Sequence, residues 1–261
     1  GRQLVDTGKL LGQIGKVGAG LGIKYRRGIP DKIRDAFDGA LSRKKRNKTE
    51  DSNNRFDADV SPHRVIDAIG LPFEDCKTIR QHIPDVTIND IFMATTAGAI
   101  RRYLEEYDEL PEGAINAMMP MAATGEQKNT ASANNVSSAV VCMHTNIEDP
   151  IERLHEIAQS THDSKEMLDD IGRDMLPKLI DVLPATVSKL ILERGVASQA
   201  SVTVSNVRGP EVDLFLAGAK CQMFVPVSIV TDGVGLNLTG FSYMGTLWVC
   251  VTACREMLPD P

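Results

Sequence analysis

The sequence predicts an α/β domain: a mixed β-sheet with flanking helices. Three observations carry this reading. Strand-like and helix-like segments alternate between residues 64 and 193. A run of strand-like segments follows between residues 201 and 254. The composition, 42% hydrophobic and 25% charged over 261 residues, is enough to bury a core of that size.

The first 54 residues stand apart. Residues 1–48 carry 13 Lys and Arg against 4 Asp and Glu, whereas the remainder carries 16 against 31. A basic arm beside an acidic domain is the expected organisation. Leu4, Leu10, Ile14, Val17 and Leu21 are interleaved with glycines and lysines, residues 30–41 read as a short helix, and Arg43-Lys44-Lys45-Arg46 form a charge run. Residues 49–54 have the polar composition of a linker. The chain is therefore divided into an arm or inter-lobe linker over 1–54 and a domain over 55–261.

Within that domain, residues 64–69 read as a strand and 72–83 as a short helix. Residues 87–107 form the clearest helix. Ile88, Ile91, Phe92, Thr95, Ala99, Tyr103 and Leu104 recur at helical spacing, with Arg101, Arg102, Glu105 and Glu106 largely opposite. Thr87 followed by Asp90 is a capping-box pattern. Residues 114–121 and 137–145 read as strands around a polar loop. Asp149-Pro150 starts the next helix, with Asp149 as cap and Pro150 at the first helical position. That helix runs towards Asp170, and another is expected at 178–193. Strands follow at 201–206, 223–230, 235–243 and 246–254. The last two are joined by a hairpin turn at Tyr243-Met244-Gly245-Thr246.

Other classes are excluded. No apolar run reaches the roughly 18 residues of a membrane span, and no secretory leader is evident. Five scattered cysteines form no disulfide framework and read as reduced thiols, which suits the cytoplasm. Cys250 and Cys254 share a strand face without a ligand cluster, so no metal site is expected. The basic arm lacks aromatic stacking residues and the rest is acidic, which speaks against nucleic acid.

Several segments, in order, resemble the wax ester synthase/diacylglycerol acyltransferase family. They are Ser61-Pro62-His63-Arg64, Leu71-Pro72-Phe73-Glu74-Asp75, Thr87-Ile88-Asn89-Asp90, Gly98 to Leu104, Met118-Met119-Pro120-Met121 and Asn134-Asn135-Val136-Ser137. Asp149 to Leu154, Val204-Ser205-Asn206-Val207-Arg208-Gly209-Pro210, Leu216 to Ala219 and Gly235 to Thr239 complete the set. The resemblance covers residues 55–261. It implies one lobe, the C-terminal one, of the two-lobed fold of chloramphenicol acetyltransferase-like CoA-dependent acyltransferases. The implied activity is fatty acyl transfer from acyl-CoA to a long-chain alcohol or diacylglycerol, with no cofactor.

The family's catalytic motif, His-His-x-x-x-Asp-Gly, is absent, since no two of the five histidines are adjacent. His63 to Asp67 spells His-x-x-x-Asp, but Pro62 stands in place of the first His and Ala68 in place of Gly. The segment aligns with the start of the C-terminal lobe, so it is not expected to be catalytic. The base is expected on a missing N-terminal lobe, and the chain alone is expected to be inactive. Arg208 replaces the family's Pro, and the chain stops at Pro259-Asp260-Pro261 where the family continues into a last helix; both ends are read as trimmed.

By resemblance, this lobe supplies a wall of the acyl tunnel and the polar residues that line the site. Asn89 and Asp90 are candidates, although a cap alone explains Asp90. Ser205 and Asn206 line the channel or simply form a turn before Gly209-Pro210. Asn237 and Thr239 share a strand face. They form either a half-solvated strip or a polar strip facing the cleft, with Asn237 as a donor near the carbonyl. Met118, Met119, Met121, Met143 and Met223 are core or tunnel lining. The expected partners are the N-terminal lobe, acyl-CoA and the acceptor lipid, with the basic arm lying on a membrane or lipid-body surface or serving as a solvated linker. A non-catalytic acyl-binding or docking lobe and a condensation-type transferase are the alternatives.

Overall fold

The computed structural model describes residues 50–122, 136–171 and 199–261. The basic segment 1–48 and the helix expected at 178–193 lie outside them. Two 3-10 turns (Glu50–Ser52 and Arg55–Asp57) lead into β1 (Arg64–Pro72), α1 (Phe73–His82), α2 (Ile88–Glu106), β2 (Asn116–Ala122), β3 (Val136–Cys142) and α3 (Pro150–Ile171). Then come β4 (Val202–Val207), a ribbon of β5 (Phe215–Leu216) and β6 (Ala219–Lys220), β7 (Leu236–Tyr243) and β8 (Thr246–Cys254).

Six strands form one mixed sheet in the order β1-β8-β7-β4-β2-β3. β2, β4 and β7 run parallel, and β1, β8 and β3 are antiparallel to their neighbours. The expected antiparallel part at the C-terminal end is thus the β7–β8 hairpin, on whose outer edge β1 pairs antiparallel with β8. Its hairpin turn places Met244 (φ 50°) and Gly245 (φ 77°) in the left-handed region. A two-residue turn of this hand matches the twist of the strands it joins.

One sheet face carries the core. Val202 and Val204 of β4, Leu236 and Leu238 of β7, and Leu247 and Val249 of β8 are buried with Ile91, Phe92, Ile100 and Leu104 of α2. Each such side chain contributes about 1.5–3 kcal/mol on burial. α2 starts where the sequence places it: Thr87 Oγ1 accepts from the Asp90 amide (3.3 Å) while Asp90 Oδ2 accepts from the Thr87 amide (2.8 Å). α3 begins on Asp149, whose Oδ1 accepts from the amides of Ile151 and Glu152. Leu154, Ile157, Thr161 and Ser164 recur on its buried side, and Ser164 Oγ donates to the Val140 carbonyl of β3. Met119 and Met143 belong to the core, whereas Met223 is exposed.

Two segments differ from expectation. Residues 223–230 form no ladder. Pro226 has no N–H to give one, and Val227 and Ile229 are exposed (60% and 76%). The residues typed as linker by composition are anchored from Glu50 onward. The Gly113 amide donates to the Asp51 carbonyl, and Asn54 both caps the Arg55–Asp57 turn and donates to Ser201 Oγ at 2.9 Å. Arg55 then pairs with Glu109 at 2.6 Å and lies over the Tyr103 and Tyr107 rings.

Near the chain's last residues, Glu256 Oε2 accepts from Ser61 Oγ at 2.5 Å and Cys254 Sγ at 3.0 Å. These two hydrogen bonds, Ser61 first, hold its carboxyl down at about 2. A depressed folded-state value contributes stability above the ordinary carboxylate range, and that contribution is lost as pH falls towards 2. Glu256→Gln is therefore expected to be less stable than the parent at pH 6, with the gap closing between pH 4.5 and 2. Urea midpoints measured across that range check it.

Candidate functional site

The six candidate residues fall on two faces of the sheet. Asn206, at the carboxyl end of β4, donates through Nδ2 to Asn89 Oδ1 at 2.8 Å, across 117 residues of sequence. Its β7 partner is Gly240. A Cβ on Gly240 would sit 3.0 Å from both Asn206 Oδ1 and the Phe92 ring. Glycine thus admits the asparagine and the helix together, on the face that bears α2. Asp90 is 3% exposed. Its Oδ2 serves the cap of α2, and its Oδ1 is buried with no hydrogen-bond partner.

The opposite face holds a polar strip. β4, β7 and β8 align Thr203 with Asn237 and Thr252, and Ser205 with Thr239 and Cys250. Asn237 is 3% exposed. Its Nδ2 donates to Ser228 Oγ and the Ile229 carbonyl, both at 3.1 Å, and its Oδ1 accepts from Thr239 Oγ1 at 2.7 Å. Both amide hydrogens are therefore in use. Through these bonds Asn237 holds the 228–229 segment against the strip. Ser205, the hydroxyl of these rows nearest the end of β4, is half-buried. Burial pushes the Cys250 thiol up, keeping it neutral. Hydroxyls, an amide and a thiol suit an uncharged acyl ester or thioester better than an ion.

No histidine of the chain hydrogen-bonds to either group. His63, His82, His155 and His162 are exposed. His144 bonds Ser160 through Nε2 at 2.8 Å, and burial lowers its pKa. In the His63 to Asp67 segment, Asp67 Oδ1 accepts from the amide of Ala68, and four residues of extended chain span roughly 13 Å. This segment makes no His–Asp pair. His162, Asp163 and Glu166 approach within 4.8 Å on the exposed side of α3, which is ordinary for a solvated helix face. Thr203, Thr252 and Gly240 were not selected from sequence, because strand register alone brings them to the candidates.

Residues 132–261 match the family model described as the WS/DGAT C-terminal domain. The chain is 32% identical over 202 residues to the O-acyltransferase WSD of Acinetobacter baylyi, covering 77% of this chain and 43% of that protein. It is 33% identical over 207 residues to a Mycobacterium tuberculosis protein assigned as a diacylglycerol O-acyltransferase, covering 78% and 46% respectively. The chain spans less than half the length of these curated relatives. Among solved structures, the wax ester synthase/diacylglycerol acyltransferase from Marinobacter aquaeolei VT8 superposes with a TM-score of 0.64 at 22% identity, over 89% of this chain and 53% of that one. The starter condensation domain of rhizomide synthetase gives 0.50 at 10% identity, over 90% and 49%. At these identities the structural likeness speaks for the fold alone, one shared with the wax ester synthase/diacylglycerol acyltransferase and the condensation domain.

Proposed function

Because the chain belongs to the wax ester synthase/diacylglycerol acyltransferase family through its C-terminal domain, we propose that it forms the C-terminal lobe of an O-acyltransferase that moves a fatty acyl group from acyl-CoA to a long-chain alcohol or diacylglycerol. The acceptor oxygen attacks the thioester carbon as its proton passes to a base, and the C–S bond then breaks to release CoA, whose sulfur takes up a proton. The base is a histidine of a His-His-x-x-x-Asp-Gly motif on an N-terminal lobe. Asn89 and Asn206 orient that base, and Ser205 faces the acyl group beside Thr239.

The observation that carries this reading is the Asn206–Asn89 hydrogen bond. It joins two resemblance segments at the carboxyl end of the parallel strands, where open α/β sheets bind their ligands. The exposed apolar residues Phe215, Leu216, Val227 and Ile229 support docking of the other lobe. They lie in or beside extended chain that forms no ladder with the main sheet. Among the described residues no helix is long and apolar enough to cross a membrane. The basic arm over 1–48 lies on an anionic membrane or lipid-inclusion surface, reached from the cytoplasm.

The test is expression of residues 1–261 alone and together with a lobe bearing the histidine motif, assayed on palmitoyl-CoA with hexadecanol or diolein. Ester is expected only from the pair. Ester from residues 1–261 alone would place the base in this chain and overturn the reading.

A further inference from the structure

Arg153, in the first turn of α3, is a cation where cations are costly. Only 7% of it is exposed. Nη1 donates to the carbonyls of Ile147 (2.8 Å) and Glu148 (3.2 Å). Nη2 lies against α2 at Gly98, where a Cβ would stand 2.9 Å from it, so only glycine lets the guanidinium lie there. The Nε–H is buried with no acceptor, and among the described residues no carboxylate forms an ion pair with the group. Arg101, nearby, is already satisfied by Glu105 at 2.5 Å and the Thr145 carbonyl. A buried charge with an unmet donor is expensive unless something supplies the missing acceptor.

That side chain lines an open groove of about 670 Å³ between α1, α2 and the start of α3, within the size range of ligand sites. Ile83, Ile91, Ala94 and Leu154 line it as well, together with Ile79 and Ile151, which are 38% and 50% exposed. Largely apolar walls with one buried, under-satisfied cation, Arg153, and an exposed one, Arg102, define an amphiphile with a small anionic head. We propose that the groove binds a long-chain fatty carboxylate, with its head on Arg153 and its tail along Ile79, Ile83 and Ile91. A hydrocarbon tail brings no backbone polar groups into the groove, whereas a peptide would. The site lies among the helices and is distinct from the Ser205–Thr239 strip on the other sheet face. It goes beyond the transfer reaction and is tested without it.

Displacement of cis-parinaric acid from the 261-residue chain by palmitate and by hexadecanol reads the binding. Saturable palmitate binding is expected, with hexadecanol weaker by about ten-fold or more, the worth of a charged hydrogen bond. Arg153→Met should bring palmitate down to the hexadecanol level. Ile79→Asp, at an exposed position where folding is not at risk, should weaken both lipids by a similar factor. Equal affinity for palmitate and hexadecanol, or palmitate binding indifferent to Ile79→Asp, would overturn the proposal. The second outcome would place the lipid elsewhere.

Discussion

Replacing Gly209 by alanine is expected to cost about 3 kcal/mol, the upper end of what overpacking costs, and to disorder the end of β4. A Cβ at this position would overlap the Ser242 carbonyl oxygen and lie 2.8 Å from Phe241 Cζ. The carbonyl belongs to β7 backbone paired with β8, so it cannot rotate away. The Phe241 ring is held too, stacked on Phe224 with centroids 4.4 Å apart. Relief must come from moving the crossing of residue 209 over β7. That also breaks the bond from the Gly209 amide to Ser242 Oγ (3.1 Å) and shifts Asn206, three residues upstream. Gly235→Ala is the instructive contrast. Its Cβ would meet the end of Met257, a flexible side chain that can swing, and the Phe56 carbonyl at a tolerable 3.2 Å. A cost of about 1 kcal/mol is expected there. Urea unfolding of the two variants checks the ranking, and a Gly209→Ala midpoint within experimental error of the parent would mean that the crossing does not pass so close.

These packing details were beyond the reach of the sequence, and the reason differs from residue to residue. Helix α2 was legible because its signals are local: helical spacing of apolar residues and a Thr87–Asp90 box that the structure shows closing in both directions. The β7–β8 hairpin was legible for the same reason, through Met244-Gly245. Residues 223–230 have the composition of a strand, but composition reports compatibility with extended backbone and says nothing of a partner for the ladder. The site divides in the same way. Strand parity placed Asn237 and Thr239 on one face. Ser205 and Asn206 are adjacent letters, however, and only register shows that one joins Thr239 while the other reaches Asn89. Arg153 read simply as part of a helix start, because its burial depends on Gly98, 55 residues upstream.

The second large effect is expected at Asn237. Truncation to alanine should cost about 1–3 kcal/mol. It leaves the buried Thr239 hydroxyl without its acceptor, at about 1–3 kcal/mol for a group left unmet in a buried setting, and releases the carbonyl of the exposed Ile229 to water. Thr239 is itself buried, so water does not readily replace the lost acceptor. The asymmetry of such bonds gives a sharper test. Thr239→Val removes the hydroxyl while keeping the shape. It should cost about 1 kcal/mol in the parent and nearly nothing in the Asn237→Ala background, where the hydroxyl has already lost its acceptor, giving a coupling of about 1 kcal/mol by double-mutant cycle. The same substitution releases Ser228 and Ile229, so amide exchange in 227–230 should quicken well before global unfolding. Additive costs in the cycle would mean that Asn237 and Thr239 do not share the 2.7 Å bond that joins them here. The strip would then be a row of independent polar side chains, and Asn237 would no longer be what seats the 228–229 segment over the face that carries Ser205.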